Sequence, residues 1–426
     1  MVKLIKSLTE DPRVKQLGPG LITGAADDDP SGIATYSQAG AQFGYSMLWT
    51  VLLTYPLMVG IQMVSARLGF ITGRGLAANV KAVFPRPVLF GIVGLLLIAN
   101  TINIAADIAA MGEALRLLIG GSAHLYSVCF GALCLGLQVY LRYETYVRYL
   151  KWLTLALLSY VAVIFTIHVH WGAVLHDLVV PQLKLDHDTI TIVVAVFGTT
   201  ISPYLFFWQA AQEMEDLRAV NRDGSITTLP HTVPVARKHL RRIRWDTYVG
   251  MGFSNLIAFF IILSTAATLH MAGITDIQTS AQAAEALRPL GGQTAYLLFT
   301  LGIVGTGMLA VPVLAGSAAY AVSESLDWNS GMDRKLREAW GFYAIIGVAT
   351  LGGVALNFTR LDPVRALIWS AEINGIIAVP IMAVMMLLAS RKDIMGDFVI
   401  RPRLRRLGWA ATAVMGITVV AMISTG

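Results

Sequence analysis

Apolar runs long enough to cross a lipid bilayer return eleven times along the 426 residues, near 17–38, 43–66, 88–115, 124–141, 149–171, 189–211, 247–271, 292–322, 341–357, 364–390 and 407–425. A hydrocarbon core of about 30 Å takes roughly 20 apolar residues as a helix, and the runs meet that length. Only 14% of the residues are charged, where a soluble chain carries about 25%. The chain therefore reads as an all-α integral membrane protein with no soluble domain. Its longest polar connection, 213–246, is too short and too rich in turn residues for a core of its own.

The charge pattern sets an expected orientation. With the N-terminus in the cytoplasm, 27 of the 32 Lys and Arg residues fall on the cytoplasmic side and 5 outside. That asymmetry is the positive-inside pattern. It places the C-terminus outside, in what would be a prokaryotic inner membrane. The basic runs RKHLRRIR (237–244) and RPRLRRL (401–407) then read as orientation signals beside anionic lipid rather than nucleic-acid contacts. The first sixteen residues are too polar for a cleaved signal. Cys129 and Cys134 share one apolar run and predict neither disulfide nor metal site.

Two runs are interrupted. The first, LGPGLITGAADDDPSGIATYSQAG, carries three carboxylates and then Pro30, Ser31 and Gly32 at its centre. The sixth, VFGTTISPYLFFWQAAQE, carries Ser202, Pro203 and Tyr204. Five spans separate them, so they cross the bilayer in opposite directions. Matching breaks in two halves of a chain indicate an inverted repeat with a binding site where they meet. Proline removes an amide donor, and the carbonyls it frees need a cavity or a cation in a medium without water. Asp29 sharpens that reading, since a carboxylate at mid-bilayer costs about 2.5–3.5 kcal/mol.

At this point the residues resemble the Nramp divalent-metal transporters, a family with the LeuT-like fold. The GPG of 18–20, the Asp29-Pro30 pair eight residues further on, the IATYSQAGA that follows and the GTTISP of 198–203 carry the likeness. The resemblance implies one transport domain over 1–426, built from eleven helices. Residues 1–16 would be a cytoplasmic tail, 17–171 a first repeat (helices 1–5), 189–390 a second (helices 6–10), and 407–425 an extra helix. Asp29 then matches the family's metal-binding aspartate, and the Thr199 carbonyl a backbone ligand. Gly32 stands where typical members have an asparagine ligand, Ser202 where they have a methionine thioether and Tyr204 where many have a histidine. Ile373, between Glu372 and Asn374, takes the place of a glutamine. Asp107 alone remains of an acidic cluster linked to proton movement.

The departures share a chemical direction. A thioether favours transition metals, whereas Ser202 leaves oxygen ligands only. Gly32 removes a ligand and opens space. Such a site suits a partly hydrated Mg²⁺, as in the divergent Nramp-related magnesium transporters that this chain resembles. The divalent ion enters as substrate; no cofactor, no nucleic acid and no enzymatic activity are expected, and the protein reads as a monomer in the bilayer. Tyrosine, with a reference pKa of about 10, does not titrate near neutral pH. Asp107 alone makes no relay, so transport is expected to run without protons.

Asp27 and Asp28 are the weak point of that last expectation. Successive helix residues are about 100° apart, so one of the two should face the inner vestibule and the other be paired or capping. Asn103 and Asp107, four apart, share a helix face. Glu372 and Asn374 either line the pathway or pack, Glu213 and Glu215 read as solvated acids, Met251 and Met308 as packing residues, and His168 and His170 as interfacial. The competing functions are a proton-coupled Mn²⁺ or transition-metal transporter, an intramembrane Mg²⁺-diphosphate enzyme and a sodium-coupled solute carrier. The enzyme would need a second aspartate-rich motif, and TTISP holds no acid.

Overall fold

A computed structural model describes residues 19–141, 153–182, 185–220, 233–359 and 362–425. The principal helices are α1 (Pro19–Asp27), α2 (Pro30–Phe43), α3 (Leu48–Thr72), α4 (Arg86–Ile119), α5 (Ala123–Tyr140), α6 (Leu158–Ile164), α7 (His187–Thr200), α8 (Pro203–Val220), α9 (Val233–Thr265), α10 (Gly292–Ser325), α11 (Trp340–Leu356), α12 (Pro363–Ala389) and α13 (Pro402–Thr425). Eight helical stretches among the described residues are long and apolar enough to cross a membrane. Leu155–Ile164 and Trp340–Leu356 are shorter. Pro30–Thr72 counts once among the eight, although a tight turn at Gly44–Met47 divides it into α2 and α3. The fifth predicted run, 149–171, differs from expectation: its described part is a 3₁₀ turn (Leu153–Leu157) and the short α6, and its first residues lie outside the described set.

Both interruptions are real breaks. Between α1 and α2, Asp29 takes an extended conformation and caps α2, with Pro30 at the first helical position, where its missing amide costs nothing. Between α7 and α8, Ile201 leaves the helical region just before Ser202 and Pro203. The Ser202 hydroxyl then donates to the carbonyls of Gly198 (2.8 Å) and Thr199 (2.7 Å) at the end of α7.

Small residues bring the broken helices against the rest of the bundle, the usual packing device where lipid gives no hydrophobic drive between helices. A Cβ on Gly24 of α1 would collide with the Gly250 backbone of α9, and one on Gly198 of α7 with the Ala371 carbonyl of α12. Around these crossings the inner ends of α1, α2, α7 and α8 converge with α4 and α12 on one buried centre.

The Gly24 crossing gives a test. Gly24→Ala should destabilise the fold by about 1–3 kcal/mol through overpacking, read as a lower thermal midpoint in detergent. Gly91→Ala adds a Cβ with nothing within 4 Å and should leave the midpoint unchanged or slightly raised.

Candidate functional site

The converging ends surround Asp29. One of its carboxylate oxygens accepts from the Gly32 amide (2.7 Å). The other accepts from the Asn103 amide of α4 (3.2 Å) and lies 3.4 Å from the Tyr204 hydroxyl, which also donates to the Ala26 carbonyl at the end of α1 (3.1 Å). Tyr204 thus ties the start of α8 to the carbonyl that the first break releases. Asp29, Asn103, Asp107, Thr199, Ser202 and Tyr204 are all buried, so the centre is closed on both sides. Asp107 lies one turn from Asn103 on α4, buried and close enough to Asp29 for their charges to interact. Neither of its oxygens meets a donor at hydrogen-bonding geometry.

A second layer holds this centre, and most of it was not legible in the sequence. Ser370 of α12 donates to the Asn103 side-chain oxygen (3.0 Å) and hydrogen-bonds Ser31 (2.9 Å), whose hydroxyl also donates to the Leu367 carbonyl (2.7 Å). Tyr36 of α2 meets Thr200 of α7 at 2.9 Å, joining the two breaks directly. Ser31 and Tyr36 lie within the motif that marks the first break. Thr200 lies within the motif of the second break, whereas Ser370 and the Ser254 of α9 carry no pattern that singles them out.

Several expectations change. Asp27 and Asp28 do not divide into one vestibule-facing and one capping residue. Both are buried and both accept from the Ser254 hydroxyl of α9, at 2.6 and 3.1 Å, each keeping one oxygen without a hydrogen-bond partner. Both are packed against α9 beside the α1–α9 crossing, which accounts for their burial. Gly32 does not open space: a Cβ there would stand 3.2 Å from the Thr199 hydroxyl and 3.4 Å from Tyr36. Thr199 and Tyr36 already fill the room expected for retained water.

On α12, Asn374 is buried on the same face as Ser370, one turn away, with its side-chain oxygen unpartnered. Glu372 shares its face with the exposed Trp369 and Ile376, turned to the outside of the helix. Met251 and Met308 are buried, and His168 and His170 are exposed with their rings edge to face.

Glu213 and Glu215 are not solvated. Glu213 is fully buried and bonds Arg242 at 2.6 Å, while Arg242 also reaches Asp216 at 2.9 Å. Glu215 accepts from the Tyr320 hydroxyl (2.5 Å) and the Met332 amide (3.0 Å). The reason is helix length: α8 runs on to Val220, so these acids belong to a helix end that Arg242 of α9 reaches on one side and Tyr320 of α10 on the other.

Chemically, the centre offers the Asp29 carboxylate with Asp107 beside it, together with carbonyl, hydroxyl and amide oxygens, and residues 27–32 and 198–204 contain no sulfur. Among the described residues no group of three or more His, Cys, Asp or Glu is arranged to hold a metal.

These observations define an all-helical membrane protein in which two interrupted helices meet at a buried carboxylate. Comparison with known proteins makes that specific. The family model "Natural resistance-associated macrophage protein-like" (Nramp) matches residues 20–425. A "Divalent metal cation transporter MntH" of Burkholderia ambifaria is 26% identical over 414 residues, covering 94% of this chain and 86% of the relative. One of Acidiphilium cryptum is 27% identical over 421 residues, covering 95% and 89%. Among solved structures, the manganese transporter of Eremococcus coleocola superposes with a TM-score of 0.75 at 17% identity, over 96% of this chain and 86% of that one. Mhp1, a nucleobase-cation-symport-1 family transporter, gives 0.56 at 14%, over 96% and 92%. The chain belongs to the Nramp family. It is a membrane protein of a transporter family, and the enzymatic reading falls away.

The buried Glu213–Arg242 pair gives a prediction. Glu213→Ala should cost about 3 kcal/mol, the lower end for removing one partner of a buried ion pair, because Asp216 still holds Arg242. The thermal midpoint in detergent reads it. A variant indistinguishable from the parent would return Glu213 to the solvated class.

Proposed function

We propose that the chain carries a divalent metal cation across the membrane by alternating access at the junction of its two broken helices. The observation that carries this reading is the buried Asp29 carboxylate, held between α4 and α8 at the point where four half-helix ends meet. The names of the relatives support the same cargo. The proposed ligands are the Asp29 carboxylate, the Thr199 carbonyl and the Ser202 hydroxyl, with Asn103, Asp107, Tyr204 and Asn374 around them and Gly32 giving room only when the site opens. The architecture proposed with it is eleven membrane helices, as two inverted five-helix repeats (17–171 and 189–390) and a last helix over 407–425, in a monomer. The charge asymmetry supports a cytoplasmic N-terminus, and the bacterial relatives support an inner-membrane location.

For the ion, Mn²⁺ has the better support, because the structurally similar Eremococcus coleocola protein is a manganese transporter and Mn²⁺ accepts oxygen ligands. Proton coupling belongs to that reading. Mg²⁺ moved without protons is the second reading, and the sulfur-free breaks favour it. Purified protein in liposomes, with Mn²⁺, Mg²⁺ and Ca²⁺ uptake compared at equal driving force and a pH dye in the lumen, separates the two. Manganese-dependent acidification selects the first; magnesium uptake at constant lumenal pH selects the second.

Two variants test the site itself. Asp29→Ala should abolish uptake of every divalent ion while the protein still purifies as a folded species, because it deletes the one charged ligand; uptake at near the parental rate would remove Asp29 from the site. Ser202→Met supplies a thioether and should raise Cd²⁺ affinity by about tenfold or more relative to Mg²⁺. Binding measured by calorimetry decides this, and an unchanged ratio places selectivity elsewhere. Adding Gly32→Asn should increase the shift only if Thr199 can yield the space.

A further inference from the structure

The two basic runs, far apart in sequence, come together in one cavity of about 700 Å³ between α3, α9 and the start of α13. Six arginines line it: Arg67 on α3, Arg237, Arg241 and Arg244 on α9, and Arg401 and Arg403 at the entry to α13. Arg237, Arg241 and Arg244 are spaced four and three apart, so they form one stripe on the helix. Arg242 is turned off that stripe toward Glu213 and Asp216. Asp397 is the one carboxylate in the cavity wall.

Arg67 is the deepest of the six, half-buried where the other five are exposed. Its Nη2 reaches the Phe398 carbonyl only at 3.5 Å, and its buried Nε has no hydrogen-bond partner. Arg401 lies near enough to repel it. A guanidinium withdrawn from water beside a like charge is stabilised by an anion. The same helices add apolar lining between the arginines, with Val59 and Met63 of α3, Leu240 of α9, and Leu404 and Leu407 of α13.

We propose that this cavity binds the headgroup of an anionic phospholipid. Guanidinium forks match phosphate oxygens in pairs, and basic pockets between membrane helices on the cytoplasmic side take such headgroups. The apolar lining selects the lipid over a free phosphate: Leu404 and Leu407 are only half-buried and belong to α13, which continues along the apolar run where an acyl chain would lie. A phosphate ion alone would leave those part-exposed leucines uncovered.

The test uses the full chain in detergent, with cardiolipin, phosphatidylglycerol or phosphatidylethanolamine added at equal amounts and retained lipid read by native mass spectrometry. Two paired variants remove the same charge from the same helix region. Arg401→Gln with Arg403→Gln alters the cavity, whereas Arg405→Gln with Arg406→Gln alters exposed arginines outside its lining. The cavity pair should lower cardiolipin retention by about tenfold, and the outer pair by less than about twofold. Phosphatidylethanolamine retention should not respond to either. Equal losses in both pairs, or no loss in the cavity pair, would overturn the site. Inorganic phosphate that displaces cardiolipin and raises the thermal midpoint by itself would assign the cavity to a free anion and overturn the lipid.

Discussion

Backbone polar groups freed inside an apolar medium must find partners, and the arrangement around the two helix breaks follows from that demand. The Gly32 amide is met by Asp29, the Ala26 carbonyl by Tyr204, and the Gly198 and Thr199 carbonyls by Ser202. Each of these partners comes from a break, so each interruption is completed by its own residues or by those of the other. Tyr36 and Thr200 add a direct link between them. The breaks are thus mutually dependent, and a site forms where the dependence is greatest.

Buried charge is organised by the same principle on a longer scale. Asp27 and Asp28 share one hydroxyl from α9, and Glu213 is matched by an arginine from that helix. Helix α9 therefore partners both interrupted helices: α1 through Ser254 and the Gly250 crossing, α8 through Arg242. An unpaired carboxylate in either place would carry a heavy desolvation cost, which ties the position of α9 to the two halves it serves.

The long apolar helices were legible because transfer to lipid depends on local composition and not on which helix lies alongside, whereas the short helix found within 149–171 was not. The breaks were legible because proline and glycine act on their own backbone. The surroundings of Asp29 were only half visible: Asn103 and Asp107 declared themselves by spacing, but Ser370 and Ser254 are ordinary hydroxyls until helix packing sets one beside Asn103 and the other beside Asp27 and Asp28. Glu213 and Glu215 were misread because apolar periodicity ends before the helix does, and a polar helix end looks like a loop. The room expected at Gly32 was misjudged for a related reason. A missing side chain becomes a cavity only if neighbours leave it empty, and Thr199 does not.

The hydroxyl of Ser202 rests 2.7 Å from the Thr199 carbonyl. The residue four further along is Pro203, which has no amide to offer, so the serine supplies the partner that the helix cannot. An arriving cation has to pull harder on the oxygen than a hydroxyl dipole does. A monovalent ion has half the field of a divalent ion at the same distance. On the ligand set proposed above, the serine then acts as a threshold on charge density, with discrimination set by the hydrogen bond a cation must replace as well as by the oxygens it gains.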